Sequence, residues 1–421
     1  MIDLKEYPDI QFPENFLMGA ATAGQQIEGN NNSWHDDPRY QPEIHYTGSQ
    51  WLPAGKAANS YERWEDDIQL VKDLNMNAYR FSLEWSRIEP EPGHFNQEAI
   101  DHYLNIMKKL KEDGIQTVVT LHHISHPVWF HDLQSFHTMD NLPYFLRYVE
   151  KVLPIYAPYV DYWLILNELN LPFEYSVEER INMLQYHAKA YHLIKRYTDV
   201  PVSSTISYAP KVPYRTNFDT PDRILAEYTD WMELGFFFHA VRTGEIVFPE
   251  HDAIYCPELK DSMDFWAVNI YIRQLINSRK SFFKDDHYTA THFRALASQP
   301  FFSEEIHPEI IMEVCQRLKD KPILFSENGI ACDSDARRIE YISAFLQAIH
   351  QCMIEGKADV IGYLYWSLLD NWEWGSCNPK FGLAYADENF DRHIKHSGRF
   401  YGEICRQHGL NQEIISAYYQ K

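Results

Sequence analysis

Residues 161–168 read DYWLILNE: two polar-edged residues, a run of large apolar ones, then an amide and a carboxylate side by side. A run this short, without helical spacing, reads as a strand buried on both faces. Seven other stretches share its build: Phe16–Thr22, Ala78–Trp85, Gln116–His123, Val200–Ser207, Asp264–Tyr271, Pro322–Glu327 and Val360–Ser367. Between them lie longer amphipathic stretches with helix signals at their ends. Asn59-Ser60 is expected to cap a helix over Tyr61–Leu74, Gly114 to close one over Asn96–Asp113, and Val177–Tyr197 to form another. Eight strands alternating with helices favour a closed (β/α)₈ TIM barrel, an α/β fold, over an open sheet. The expected elaboration is loop insertion at the C-terminal face of that barrel. No low-complexity run, flexible linker or like-charge block divides the chain, so residues 1–421 read as a single domain.

Those strands share a second property. Polar or charged residues stand at or just beyond their C-terminal ends: Gln26, Arg80 with Glu84, His122-His123, Asn167-Glu168, Asn269 with Tyr271, Glu327-Asn328 and Asp370-Asn371. In a barrel that end is the face where active sites are built. Any one of them is an ordinary loop residue. Their convergence points to a site.

Composition narrows the partners. Sixty acidic residues against 38 Lys plus Arg give a net charge of −22, which repels nucleic-acid phosphates and anionic lipid alike. Neither nucleic acid nor a membrane is expected as a partner. The 15% aromatic content, with 11 Trp, suits a site that grips the apolar faces of polar molecules. No window approaches 18 uninterrupted apolar residues, and MIDLKEYPDI lacks the basic and apolar regions of a secretory signal. Six scattered cysteines without metal-ligand spacing read as free thiols, so a cytoplasmic location is expected.

Two segments carry a glutamate next to an asparagine directly after an apolar strand: LILNELN at 164–170 and FSENG at 325–329. Poorly solvated carboxylates with unlike neighbours separate into an acid and a base, as glycosidic bond cleavage demands. The dipeptides alone fit helix caps or loop residues equally well.

The wider sequence resembles glycoside hydrolase family 1, the β-glucosidase and β-galactosidase family of (β/α)₈ enzymes. The resemblance rests on FLMGAATAGQQIEG (16–29), NAYRFSLEWSRIEPEPG (77–93), TLHHISHP (120–127), LILNELN, DFWAVNIY (264–271), FSENG, WSLLDNWEW (366–374) and KFGLAYAD (380–387). It implies a retaining, exo-acting β-glycosidase with Glu168 as acid/base and Glu327 as nucleophile. Arg80, Asn167, Tyr271 and Asn269 would support the nucleophile and transition state. Gln26, His123, Trp366, Glu373, Trp374 and Phe381 would bind sugar. No metal and no cofactor is implied, and the partner is a small β-glycoside or oligosaccharide. Arg80 and Tyr271 are expected to hold the Glu327 carboxyl low, and desolvation with the Glu327 charge to raise Glu168. Glu373 argues for an unphosphorylated sugar, since a carboxylate repels a phosphate dianion; Lys380 is the nearby cation that opposes it. The alternatives are a 6-phospho-β-glycosidase or a catalytically weak relative that binds glycans. A metal-dependent reading through His122, His123 and His126 is disfavoured, because adjacent histidines on a strand point to opposite faces.

The sequence also departs from the family pattern. Leu169 stands where the family has Pro and is expected to loosen the backbone around Glu168. Ile124 stands in place of a Trp, removing one wall of the sugar subsite. The segment after Asn170 runs almost directly into a helix, and the span from Trp374 to Phe381 is one residue short. A more open aglycone side is the expected result.

Overall fold

The computed structural model describes residues 4–41, 51–216, 220–249, 251–281 and 305–419. Among them, eight parallel strands form the wall of a barrel: β1 (Leu17–Ala21), β2 (Ala78–Ser82), β3 (Gln116–His122), β4 (Tyr162–Leu166), β5 in two pieces (Val202–Ser203 and Thr205–Ser207), β6 (Trp266–Asn269), β7 (Ile323–Asn328) and β8 (Val360–Trp366). Each strand pairs with its sequence neighbour, and β8 pairs with β1. The ring closes through β5: its first piece pairs with β4, its second with β6.

Helices α1 (Trp64–Asp73), α2 (Gln97–Glu112), α3 (Leu142–Tyr156), α4 (Val177–Ile194), α5 (Phe236–Thr243), α6 (Ile310–Arg317), α7 (Asp335–Ile354) and α8 (His396–Gln407) follow the strands in turn. Their ends obey local chemistry. The Asn96 side chain accepts from the N–H groups of Glu98 and Ala99 at the start of α2, and Ser176 with Glu179 makes a reciprocal capping box at α4. Gly114, past the end of α2, takes the left-handed φ of +73°. One expected cap fails. α1 begins at Trp64, not Tyr61, because Ser60 and Tyr61 donate their N–H groups to Ile27 and Glu28 and are tied to the turn after β1.

Alternation along the strands sorts the side chains into two environments. Ala78, Val118, Leu164, Ala267, Leu324 and Leu364 belong to a small apolar cluster inside the barrel, while Tyr79, Val119, Ile165, Val268 and Phe325 join the large core beneath the helices. Two residues further along four of these strands the interior turns polar. Arg80, Thr120, Asn269 and Ser326 succeed Ala78, Val118, Ala267 and Leu324, and all four are buried. The barrel is thus filled by a layer of aliphatic side chains under a layer of hydrogen-bonding ones.

The expected strand Val200–Ser207 is interrupted at Ser204. The cause lies in side-chain hydroxyls: Ser204 Oγ accepts the Leu166 N–H at 3.1 Å, and Thr205 Oγ1 accepts the Glu168 N–H at 2.8 Å. These hydroxyls stand where ladder carbonyls would otherwise face β4.

Candidate active site

Arg80, on β2, is completely buried and ties the polar layer together. Its Nη1 donates to Glu327 Oε1 at 2.7 Å and to the Ser326 carbonyl at 3.1 Å; its Nη2 donates to Asn167 Oδ1 at 2.7 Å; its Nε donates to Thr120 Oγ1 at 3.2 Å. A buried guanidinium is tolerable because these acceptors satisfy it.

Glu327 reaches this position through an irregularity in β7. The register of β7 shifts against both neighbours beside Ser326 and Glu327, which pairs Asn269 with Glu327 on one side and Asn328 with Tyr365 on the other. Strict alternation would point only one of Ser326 and Glu327 inward; the slip lets both reach the site. Ser326 Oγ donates to Asn269 Oδ1 at 2.7 Å, and the Tyr271 hydroxyl donates to Glu327 Oε2 at 2.6 Å. Gly329 ends the motif where a Cβ would lie 1.8 Å from the Trp366 carbonyl oxygen.

Glu168 is aimed differently. It has a left-handed φ of +48°, a strained conformation for a residue with a side chain, held by its N–H on Thr205 and by the Leu171 N–H on its carbonyl at 3.0 Å. Leu169 is fully buried, and Asn170 Nδ2 donates to the carbonyls of Ser207 and Glu233. The expected loosening at Leu169 is therefore not found: burial and these bonds fix the segment. Asn269 Nδ2 donates to Glu168 Oε1 at 2.9 Å. Asn269 and Arg80 thus bridge the two carboxyl groups.

The environments push the two acids unequally. Burial, followed by the facing charge of Glu327, raises the Glu168 carboxyl to about 8. Burial raises Glu327 as well, against the pull of Arg80 and the Tyr271 hydroxyl. This corrects the expectation for Glu327. Arg80 and Tyr271 do favour its ionised form, but desolvation outweighs them.

Asn167 packs between these groups. Its Oδ1 accepts from Arg80 and Thr205, and its Nδ2 faces His123 Nε2 at 3.2 Å. That contact makes Nε2 the acceptor and leaves the imidazole proton on Nδ1, which is buried with no hydrogen-bond partner among the described residues. Burial, then the charge of Arg80, keeps this imidazole neutral. His122 turns the other way, toward His126 at 3.2 Å, so the two adjacent rings diverge.

The remaining predicted residues form the opposite wall. Trp366 Nε1 donates to Glu373 Oε1 at 2.6 Å, and Gln26 Nε2 donates to Asn371 Oδ1 and to the Trp372 carbonyl. Burial raises Glu373 to about 8; Trp366 opposes this and the Glu327 charge adds to it. His123 stacks on Trp366 at 5.9 Å, joining the two walls, and Phe381 meets Tyr271 edge-on at 6.0 Å. Trp366 and Phe381 are buried, whereas Trp374 is half-buried with the exposed Phe173 against its edge. All twelve residues singled out in the sequence come together. The hydroxyls that join them, Thr120, Thr205 and Ser326, were not singled out. Counting two residues outward from the apolar interior positions finds Thr120 and Ser326; Thr205 depends on the break in β5.

The chain matches the model of glycosyl hydrolase family 1 over residues 9–410, and it belongs to that family of glycoside hydrolases. The β-glycosidase from Pyrococcus horikoshii superposes with a TM-score of 0.84 at 30% identity, covering 98% of this chain and 99% of that one. β-Glucosidase A of Acetivibrio thermocellus is 28% identical, over 95% of this chain and 99% of its own length. The 6-phospho-β-galactosidase of Staphylococcus epidermidis is 25% identical, over 94% and 98%.

Proposed function

We propose that the protein is a retaining, exo-acting β-glycosidase for unphosphorylated β-glucosides and β-galactosides. The observation that carries this reading is the unequal treatment of two neighbouring buried carboxyls. Both oxygens of Glu327 receive donors, one of them a guanidinium, whereas Glu168 receives an amide and faces a like charge. Glu327 is thereby the nucleophile and Glu168 the acid.

In the first step a Glu327 oxygen attacks the anomeric carbon while Glu168 gives its proton to the glycosidic oxygen, and the aglycone leaves as an alcohol. Esterification removes the Glu327 charge, which had raised Glu168. Glu168, left ionised by its proton transfer, is now stable in this form; it takes a proton from water as the water oxygen attacks the anomeric carbon, and Glu327 leaves as a carboxylate, releasing the sugar with its configuration kept. This sequence requires the two carboxyl groups about 5–5.5 Å apart. Asn167 would hold the sugar 2-hydroxyl, and the Nδ1–H of His123, without a partner among the described residues, supplies a donor for another. Gln26 and Glu373 would bind further hydroxyls, with Trp366, Trp374 and Phe381 against the C–H faces.

The name of the Staphylococcus epidermidis relative keeps a phosphorylated sugar in view as a second reading. Glu373 opposes it. The Glu327 charge already helps raise its carboxyl, and a phosphate dianion beside it would add a second negative charge to the same buried wall. The test is turnover of nitrophenyl β-glucoside, β-galactoside, β-fucoside, β-mannoside and 6-phospho-β-glucoside by the wild type and by Glu327→Gln. Wild-type turnover of unphosphorylated substrates, lost in the variant, is expected. Turnover of the 6-phospho compound alone would favour the second reading, and an inert wild type would leave a glycan-binding relative.

A further inference from the structure

Glu84 stands at the end of β2, buried, and none of the steps above uses it. Its carboxyl reaches two segments, the turn at Gln25 and the loop at Ser125, which the Trp34 indole also joins further out through the Ile124 carbonyl at 3.2 Å. Ser125 Oγ lies 2.9 Å from both Glu84 oxygens, and the Ser125 N–H closes a tight turn on the His123 carbonyl at 2.7 Å. On the other side the Gln25 backbone N–H donates to the same carboxyl. Gly24 abuts it so closely that a Cβ there would lie 2.7 Å from Glu84 Cγ. The Glu84 backbone N–H is held in turn by the Tyr103 hydroxyl at 3.2 Å, and Tyr103 donates to Glu28, which pairs with Arg87 at 2.7 Å.

We infer that Glu84 is a positioning residue, whose single carboxyl sets the spacing between the Gln26 turn and the His123 loop and so fixes the opposed hydroxyl-binding groups of the sugar site. This rests on the sugar-binding reading of Gln26 and His123. Spacing matters because a misplaced donor costs a hydrogen bond whose partner stays buried. Burial and the adjacent Glu28 raise the Glu84 carboxyl to about 8, so a neutral side chain of the same shape keeps both contacts. Gln would accept the Gln25 N–H through its carbonyl and donate to Ser125 through its amide.

The experiment is a pair of double-mutant cycles read as kcat/KM on a nitrophenyl β-glycoside the wild type turns over. Glu84→Ala is expected to lower kcat/KM at least about tenfold, chiefly through KM, and Glu84→Gln to stay within about threefold of wild type. In a Gln26→Ala background the Glu84→Ala effect should shrink at least about threefold, because one of the two groups it positions is gone and only the His123 arm remains. If Glu84→Ala does not fold, Ser125→Ala removes one arm alone and should likewise lose its effect in a His123→Ala background. Multiplicative effects in the cycle, or an impairment by Glu84→Gln as deep as by Ala, would overturn the inference while leaving the proposed function intact. A wild type inert on every β-glycoside would remove the function first and this inference with it.

Discussion

The ends of β4 and β7 are near mirror images in sequence and opposites in environment. One reads Leu-Asn-Glu, the other Ser-Glu-Asn, each after an apolar strand. Glu327 arrives through a register slip and meets Arg80 and Tyr271. Glu168 arrives through a strained backbone turn and meets an amide. Nothing in either dipeptide encodes that difference. It comes from β2, which delivers a guanidinium to Glu327 alone, while Asn269 of β6 reaches both carboxyls. On the proposed reading, acid and nucleophile are thus roles assigned by neighbouring strands.

The strongest way to break the comparison is to remove each carboxyl in turn. Glu327→Gln should cost about 10³-fold or more in kcat on every substrate, because no second group can form the glycosyl ester. Glu168→Gln should cost about 10²–10⁴-fold on aglycones that need protonation, and much less on dinitrophenyl glycosides, which leave unaided. Equal losses of Glu168→Gln on both leaving groups would show that the two acids are not divided as described. Tyr271→Phe sharpens the contrast at the next level down. It removes a donor that favours the ionised nucleophile, so activity should fall by roughly tenfold and the acidic limb of the rate profile should move to higher pH. The basic limb should stay near pH 8, where Glu168 gives up its proton.

The smallest effect is on stability. Glu168 and Glu373 are raised to about 8 in the folded protein from 4.5, so folding takes up protons between those values. That contribution is complete below the unfolded pKa and is lost as pH rises through 8. The Tm should therefore drop between pH 6 and pH 9, and Glu373→Gln should flatten the drop; an unchanged slope by calorimetry would count against the buried acid at 373.

The barrel was legible because it follows from local regularities, whereas the candidate site residues were implied by the resemblance to the family. Runs such as 161–168 announce buried strands, and polar residues just past them announce the mouth. What stayed hidden depends on strands meeting in space. Thr120 and Ser326 look like ordinary strand residues until register places them beside Arg80 and Asn269. The net rise at Glu327 was misjudged because counting its donors says nothing about how much water the closed barrel excludes. Leu169 was misread for a related reason: the loss of a proline is visible in sequence, but the bonds from Thr205 and Asn170 that hold the turn are not.

The interruption of β5 gives that wall of the barrel an unusual genetic vulnerability. Elsewhere the ladder is built mostly from peptide groups, with side-chain acceptors near strand starts, where Met18 and Thr117 donate their N–H groups to Asn77 Oδ1 and Asp161 Oδ2. Between β4 and β5 the amides of Leu166 and Glu168 hang on hydroxyls, and Ser204→Ala or Thr205→Val would delete a main-chain tether through a one-atom edit. Faster amide hydrogen exchange at those two positions, beside a quiet remainder of the wall, is the signature such an edit would leave.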